Sequence, residues 1–181
     1  MAMGWLFAAL LITLLLVRGA IGYAHRRGML DQPGQRRSHH LATPRGGGIG
    51  IVAAMFVCLP GTLWSLPAAW PLSVIAGLLG ALVLVALAGW WDDHQWLPVL
   101  PRFAAQLLAV FGFSLALLAT GLSLWWLPLL LIGGAWSINL HNFMDGIDGL
   151  LAQQVMFVAG GLALLAWAVA QPALALAAAT L

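Results

Sequence analysis

The sequence predicts an all-α fold, a polytopic integral membrane helix bundle with six transmembrane helices and the start of a seventh. Three observations carry that prediction. Apolar residues fill 63% of the 181 positions and charged residues only 7%, and the mean hydropathy of +1.00 lies far above that of a water-soluble domain. Apolar runs of about 20 residues, the length a helix needs to cross a hydrocarbon core of ~30 Å, recur along the whole chain. The few charges fall in alternate connecting segments, as the loops of a multi-pass protein require.

The predicted spans are residues 5–23, 49–63, 72–89, 103–120, 122–138 and 150–170. The first begins with "MAMGW", which has no basic lead, and its apolar core is longer than that of a cleaved signal peptide, so it stays in the mature protein. The second is short and is expected to begin within the Gly46, Gly47, Gly48 run, where the "PRGGG" turn permits close helix packing. The third ends before "WWDDHQW", where tryptophans suit the headgroup level. The fourth and fifth are joined by a very short link around residues 120–122. After the sixth, nine residues follow "AQP", about half a crossing. The expectation is a single transmembrane domain over 1–181 that forms the N-terminal part of a longer protein, cut inside a seventh helix. Cys58 lies alone within a span, so no disulfide and no cysteine metal site can be argued.

The chain has seven arginines and no lysine. Arg26, Arg27, Arg36, Arg37, Arg45 and Arg102 follow the first and third spans, and Arg18 can snorkel toward the same side. The opposite connections hold none. The positive-inside rule makes the arginine-bearing side cytoplasmic and places the N-terminus outside. A net charge of +2 arranged in this way suits anionic headgroups or phosphorylated substrates and does not argue for nucleic acid.

All five acids, Asp31, Asp92, Asp93, Asp145 and Asp148, fall on that same side. A membrane helix end can be finished with Ser, Asn, Gly or Trp at lower electrostatic cost, so five carboxylates on one face point to one site. They occupy three segments, "DQPGQRRSHHLATPRGGGIGI" (31–51), "GWWDDHQWLPVLPRFAAQ" (89–106) and "NLHNFMDGIDGLLAQQ" (139–154). Adjacent carboxylates, or a pair at i and i+3 on a helix, repel each other increasingly as water is excluded. A divalent cation relieves that repulsion, and oxygen ligation by Asp and Asn suits Mg²⁺. In the third segment Asn139, Asn142, Asp145 and Asp148 recur every third residue, with Gly146 and Gly149 opening the backbone. Capping of the sixth helix explains one of these four, since one helix has one N-cap. The adjacent His39 and His40 do not converge easily on one ion.

Taken together, the three segments resemble the polyprenyl-phosphate N-acetylhexosamine-1-phosphate transferases, the glycosyltransferase 4 family. "DQPGQRRSHHLATPRGGG" is similar to that family's D-x-P…TPR-x-GG stretch, in the form of its O-antigen-initiating branch, "WWDDHQWLPVLPRFAAQ" to its DD motif with a following basic residue and glutamine, and "NLHNFMDGIDGL" to its N-x-x-N-x-x-D-G-x-D-G-L signature. The resemblance implies transfer of a sugar 1-phosphate from a UDP-sugar to undecaprenyl phosphate in the bacterial inner membrane, with release of UMP and with Mg²⁺, or Mn²⁺ in its place. It implies Asp92, Asp93 and Asp145 as catalytic acids, Asp92 activating the lipid phosphate. Asn142 and Asp145 stand at the metal, and Asp148 at the uracil. Asn139, Arg102, Arg45 and His39 fall among the substrate-binding residues, Arg102 where relatives carry a lysine. The implied partners are the UDP-sugar, undecaprenyl phosphate and membrane lipid, and a homodimer is left open. Relatives continue with a further aspartate and a His-rich loop, so these 181 residues are expected to be inactive alone.

Other classes fit less well. CDP-alcohol phosphotransferases place an arginine soon after D-G, and aromatic prenyltransferases space their aspartates as D-x-x-x-D, unlike "DGIDGLLAQ" and the bare DD here. A transporter would carry acids in mid-helix and broken helix pairs, which the sequence does not show.

Overall fold

A computed structural model describes residues 2–32, 41–65, 70–95, 97–144 and 149–168. Its elements are α1 (Ala2–Arg27), β1 (Leu30–Asp31), β2 (Thr43–Pro44), α2 (Gly48–Trp64), α3 (Leu72–His94), α4 (Val99–Leu118), a short 3₁₀ turn (Leu124–Trp126), α5 (Leu127–Met144) and α6 (Leu150–Ala168). The chain divides into two units, one with α1, the strands, α2 and α6, the other with α3, α4 and α5. The expected helical membrane fold is therefore what forms. Four of the described helices, α1, α3, α4 and α6, are long and apolar enough to cross a membrane. Helix α2, with 17 residues, is about 25 Å long. Helix α5 carries Ser137, Asn139, His141 and Asn142 in its last two turns and is less apolar.

The boundaries differ from expectation where breakers act. Gly121, at φ +99°, ends α4, and Pro128 stands in the first turn of α5, where its missing N–H costs nothing. The link therefore runs over 119–126, and Trp125 and Trp126 lie in it, largely exposed. Helix α3 runs five residues beyond its predicted end, because no breaker precedes Gln95, whose backbone is extended. Helix α4 starts four residues early, since Pro101 falls in its first turn, where proline is tolerated. The expected seventh helix lies outside the described residues.

Large apolar side chains face outward along the helices, among them Leu15, Leu87, Leu108, Ile132 and Phe157. Most of the buried positions among the described residues are small. In lipid there is no hydrophobic drive between helices, and close packing of small residues takes its place. Along α2 the buried residues Gly50, Ala54, Cys58 and Thr62 recur every fourth position on one face. A Cβ at Gly50 would stand 2.8 Å from Val17 Cγ2 and 3.0 Å from the Thr13 carbonyl oxygen, and one at Gly61 2.5 Å from the Trp5 ring. The register, Val17 beside Gly50 and Trp5 beside Gly61, makes α1 and α2 antiparallel. At the far end Trp5 Nε1 donates to Ser65 Oγ over 3.0 Å, and Ser65 Oγ donates to the Gly61 carbonyl.

In the other unit Gly77 meets Ala116, where a Cβ would lie 2.5 Å from the alanine methyl, so α3 and α4 also pack through small residues. Gly134 of α5 faces Val110 of α4, with 2.6 Å between its notional Cβ and the valine.

Candidate substrate-phosphate site

The last turn of α3 carries Asp92 and Asp93, which lie beyond the predicted end of the third span at 89. Adjacent helical residues diverge by about 100°, so the two carboxylates cannot face the same way. Four residues separate the end of α3 from Val99, which opens α4. This connection folds the start of α4 back on the end of α3. Asp92 Oδ1 accepts the Leu97 N–H at 3.0 Å, fixing the turn. Asp92 Oδ2 accepts from Arg102 Nη1 at 3.3 Å, and both side chains are about a quarter to a third exposed. Gln106, one turn beyond Arg102 on the same face, is buried. His94 Nδ1 donates to the Trp90 carbonyl at 2.8 Å and its ring lies against Trp90 at a tilt of 39°, with centroids 4.2 Å apart, holding the helix end compact.

In α5, Gly134 meets Val110 of α4, and Asn139 and Asn142 follow in the last two turns of α5, where both are exposed. His141, not singled out from the sequence, donates from Nδ1 to the Ser137 carbonyl at 2.7 Å.

Arg45 belongs to the other unit. Gly28, at φ +67°, ends α1, and Met29 N–H donates back to the Ala24 carbonyl at 2.9 Å, closing the helix with a left-handed glycine. The chain then enters β1, which pairs antiparallel with β2 in the register Leu30 to Pro44 and Asp31 to Thr43. Arg45 Nε lies 3.4 Å from Asp31 Oδ1. Gly46, at φ +87°, then leads into α2, as the "PRGGG" turn suggested.

His39, Asp145 and Asp148 lie outside the described residues, as does the rest of the 33–40 stretch. Gly149, just after the "DGID" run, has φ +75°, the left-handed conformation that favours glycine, so the chain does open its backbone there. Among the described residues no three His, Cys, Asp or Glu side chains gather into a metal-binding group. Asp92 already has an N–H donor on each oxygen. Asn139 and Asn142, both exposed, each offer a neutral amide oxygen of the kind a hard cation such as Mg²⁺ accepts.

Arg102 with its carboxylate partner is suited to hold an anion, because a guanidinium fork matches phosphate geometry, and the exposed Asn139 and Asn142 offer uncharged donors. Neither a curated protein nor a solved structure matches the chain. Residues 75–181, more than half of it and a stretch that includes Asp92, Arg102 and Asn142, match the family described as glycosyl transferase family 4. The chain therefore belongs to glycosyl transferase family 4, as a multi-pass membrane transferase of sugar phosphates to polyprenyl phosphate.

Proposed function

We propose that the protein transfers an N-acetylhexosamine 1-phosphate from a UDP-sugar to undecaprenyl phosphate, on the cytoplasmic face of a bacterial inner membrane with the N-terminus outside, and so begins a cell-surface glycan such as an O-antigen. An oxygen of the lipid phosphate attacks the sugar-bearing phosphorus of the donor. The bond from that phosphorus to the bridging oxygen breaks, and UMP leaves with the bridging oxygen and its electron pair. Both substrates are anionic, so the protein's task is to hold them in line and to offset their charge.

In this reading Arg102 and Asn139 bind substrate phosphate and sugar, and Arg45 and His39 extend substrate contact from the 31–51 segment. Asp148 receives the uracil. Asp92, Asp93 and Asp145 form the acidic group, and Asn142 with Asp145 holds the cation. Bound Mg²⁺, or Mn²⁺ in its place, would supply charge neutralisation at the diphosphate. The observation that carries the proposal is the family match over residues 75–181, a stretch that contains both the Asp92–Arg102 pair closing one helical hairpin and the exposed amides of α5.

Membranes containing the full-length gene product, given undecaprenyl phosphate and radiolabelled UDP-N-acetylhexosamines, should form a labelled lipid and UMP only when Mg²⁺ is present. Asp145→Asn should abolish the label while the protein still inserts. No labelled lipid from any such donor, or an unchanged yield in the variant, would overturn the proposal.

A further inference from the structure

We propose that Asp92 is a positioning residue for Arg102, and that the two form an anion clamp in which the guanidinium, not the Asp92 carboxylate, meets the phosphate or diphosphate of the substrate. The inference rests on the transferase reading above and divides the labour within its acidic group. Three observations lead to it. Both oxygens of Asp92 are engaged, one by the Leu97 N–H at 3.0 Å and the other by Arg102 Nη1 at 3.3 Å, so this carboxylate already has a task. Its contact with the guanidinium is through Nη1, and a guanidinium has five N–H donors, so the other edge of the fork can take a second anion while the first holds it still. The pair joins the last turn of α3 to the first turns of α4 across the 95–98 connection, so the position of Arg102 is set by backbone as well as by charge.

The chemistry of the nucleophile points the same way. A phosphate monoester has a second pKa near 6, so at neutral pH its attacking oxygen is already largely ionised and needs no strong base. What the reaction needs is a cation at a defined place, because a loose guanidinium loses rotamer freedom when it binds.

The sign of one effect separates this role from its rivals. If Asp92 were only a competing anion, neutralising it would tighten phosphate binding. If it holds the guanidinium, neutralising it weakens binding. Asp92→Asn keeps a side-chain oxygen for Leu97 and so spares the turn. Calorimetric titration of the detergent-solubilised full-length protein with inorganic pyrophosphate in Mg²⁺-free buffer is the test, with helix content checked by circular dichroism. Arg102→Gln and Asp92→Asn are each expected to weaken binding about tenfold, and the double variant no more than about twofold further, because both act on one element. Asp92→Glu should recover most of the loss. Unchanged or tighter binding in Asp92→Asn, additive losses in the double variant, or no pyrophosphate binding by the unsubstituted protein would each overturn the inference.

Turnover supplies a second arm. Asp92→Asn should raise KM for undecaprenyl phosphate and leave the pH profile of kcat in place, whereas loss of the profile's acid limb with a kcat about a thousandfold lower would make Asp92 the base and sink the proposal. The calorimetric arm needs no turnover. Pyrophosphate held through coupled Asp92 and Arg102 in a protein that transfers no sugar phosphate would therefore defeat the transferase reading alone.

Discussion

Two antiparallel helical hairpins, α1–α2 in one unit and α3–α4 in the other, are built on the same plan and used differently. Each packs its helices through small residues, Gly50 and Gly61 in the first and Gly77 in the second. Each is closed at one end by an aspartate and an arginine, Asp31 with Arg45 at 3.4 Å and Asp92 with Arg102 at 3.3 Å. In α1–α2 the ion pair sits beside a two-residue strand pairing and ties the base of a long connection. In α3–α4 it bridges a connection of only four residues and holds a guanidinium at the start of a helix. On the proposed reading, the pair that closes the tight turn sets the guanidinium that meets substrate phosphate, whereas the pair that closes the long loop ties its base and leaves Arg45 to extend substrate contact.

The largest expected effect tests the site. Arg102→Gln removes the only cation of that hairpin among its described residues and should lower sugar-phosphate transfer by the full-length protein about a hundredfold, with both binding and transition-state stabilisation lost. Arg102→Lys keeps the charge without the fork and should recover part of it. A transfer rate within threefold of the unsubstituted protein in Arg102→Gln would remove the distinction between the hairpins.

The shared packing gives the next effect. Leucine at Gly61 must displace the Trp5 ring and leucine at Gly77 must displace Ala116, so each should cost about 1–3 kcal/mol of stability in detergent unfolding. Gly80, with nothing within 4 Å of a notional Cβ, is the contrasting position on α3. Gly80→Ala should be neutral or gain up to about 1 kcal/mol, because alanine is the better helix former. Equal losses at Gly61, Gly77 and Gly80 would show that helix propensity, not close approach, governs these positions.

What could be read from sequence follows from what each signal reports. Apolar runs report burial in lipid, so the six helices and their order were legible. Hydropathy falls where polar residues begin, however, whether or not the helix continues. For that reason the predicted spans end at 89 and 138, although Asp92 and Asp93 belong to the last turn of α3 and Asn139 and Asn142 to the end of α5. The pairing of Asp92 with Arg102 depends on that extra turn and on Pro101 lying inside α4, which only helix geometry could reveal. The closeness of Gly61 to Trp5, far apart in sequence, carries no local signal at all. The spacing of "PRGGG" was more direct, since a glycine run before an apolar segment marks a left-handed turn, here at Gly46.

A smaller effect belongs to the far end of the first hairpin. Ser65→Ala removes the acceptor for Trp5 Nε1 and should cost about 1 kcal/mol, because a single neutral hydrogen bond contributes that much net. The loss should vanish in a Trp5→Phe background, which has no N–H to leave unpaired. A full additional loss there would place the effect in Ser65's bond to the Gly61 carbonyl instead.

The smallest effect is expected where the charge is most conspicuous. Asp31→Asn breaks an ion pair whose arginine side chain is 39% exposed, and exposed pairs of this kind are worth about 0–1 kcal/mol, further reduced by salt. The strand pairing and the Arg45 N–H to Met29 carbonyl bond at 3.0 Å remain to hold the base of the connection. Stability should therefore fall by less than about 1 kcal/mol, and the fall should shrink further in high salt. Transfer should drop far less than in Arg102→Gln. A loss of transfer in Asp31→Asn as large as that in Arg102→Gln, at unchanged stability, would make Asp31 as necessary to the substrate contact of Arg45 as Asp92 is to that of Arg102, and the two hairpins alike in use as well as in plan.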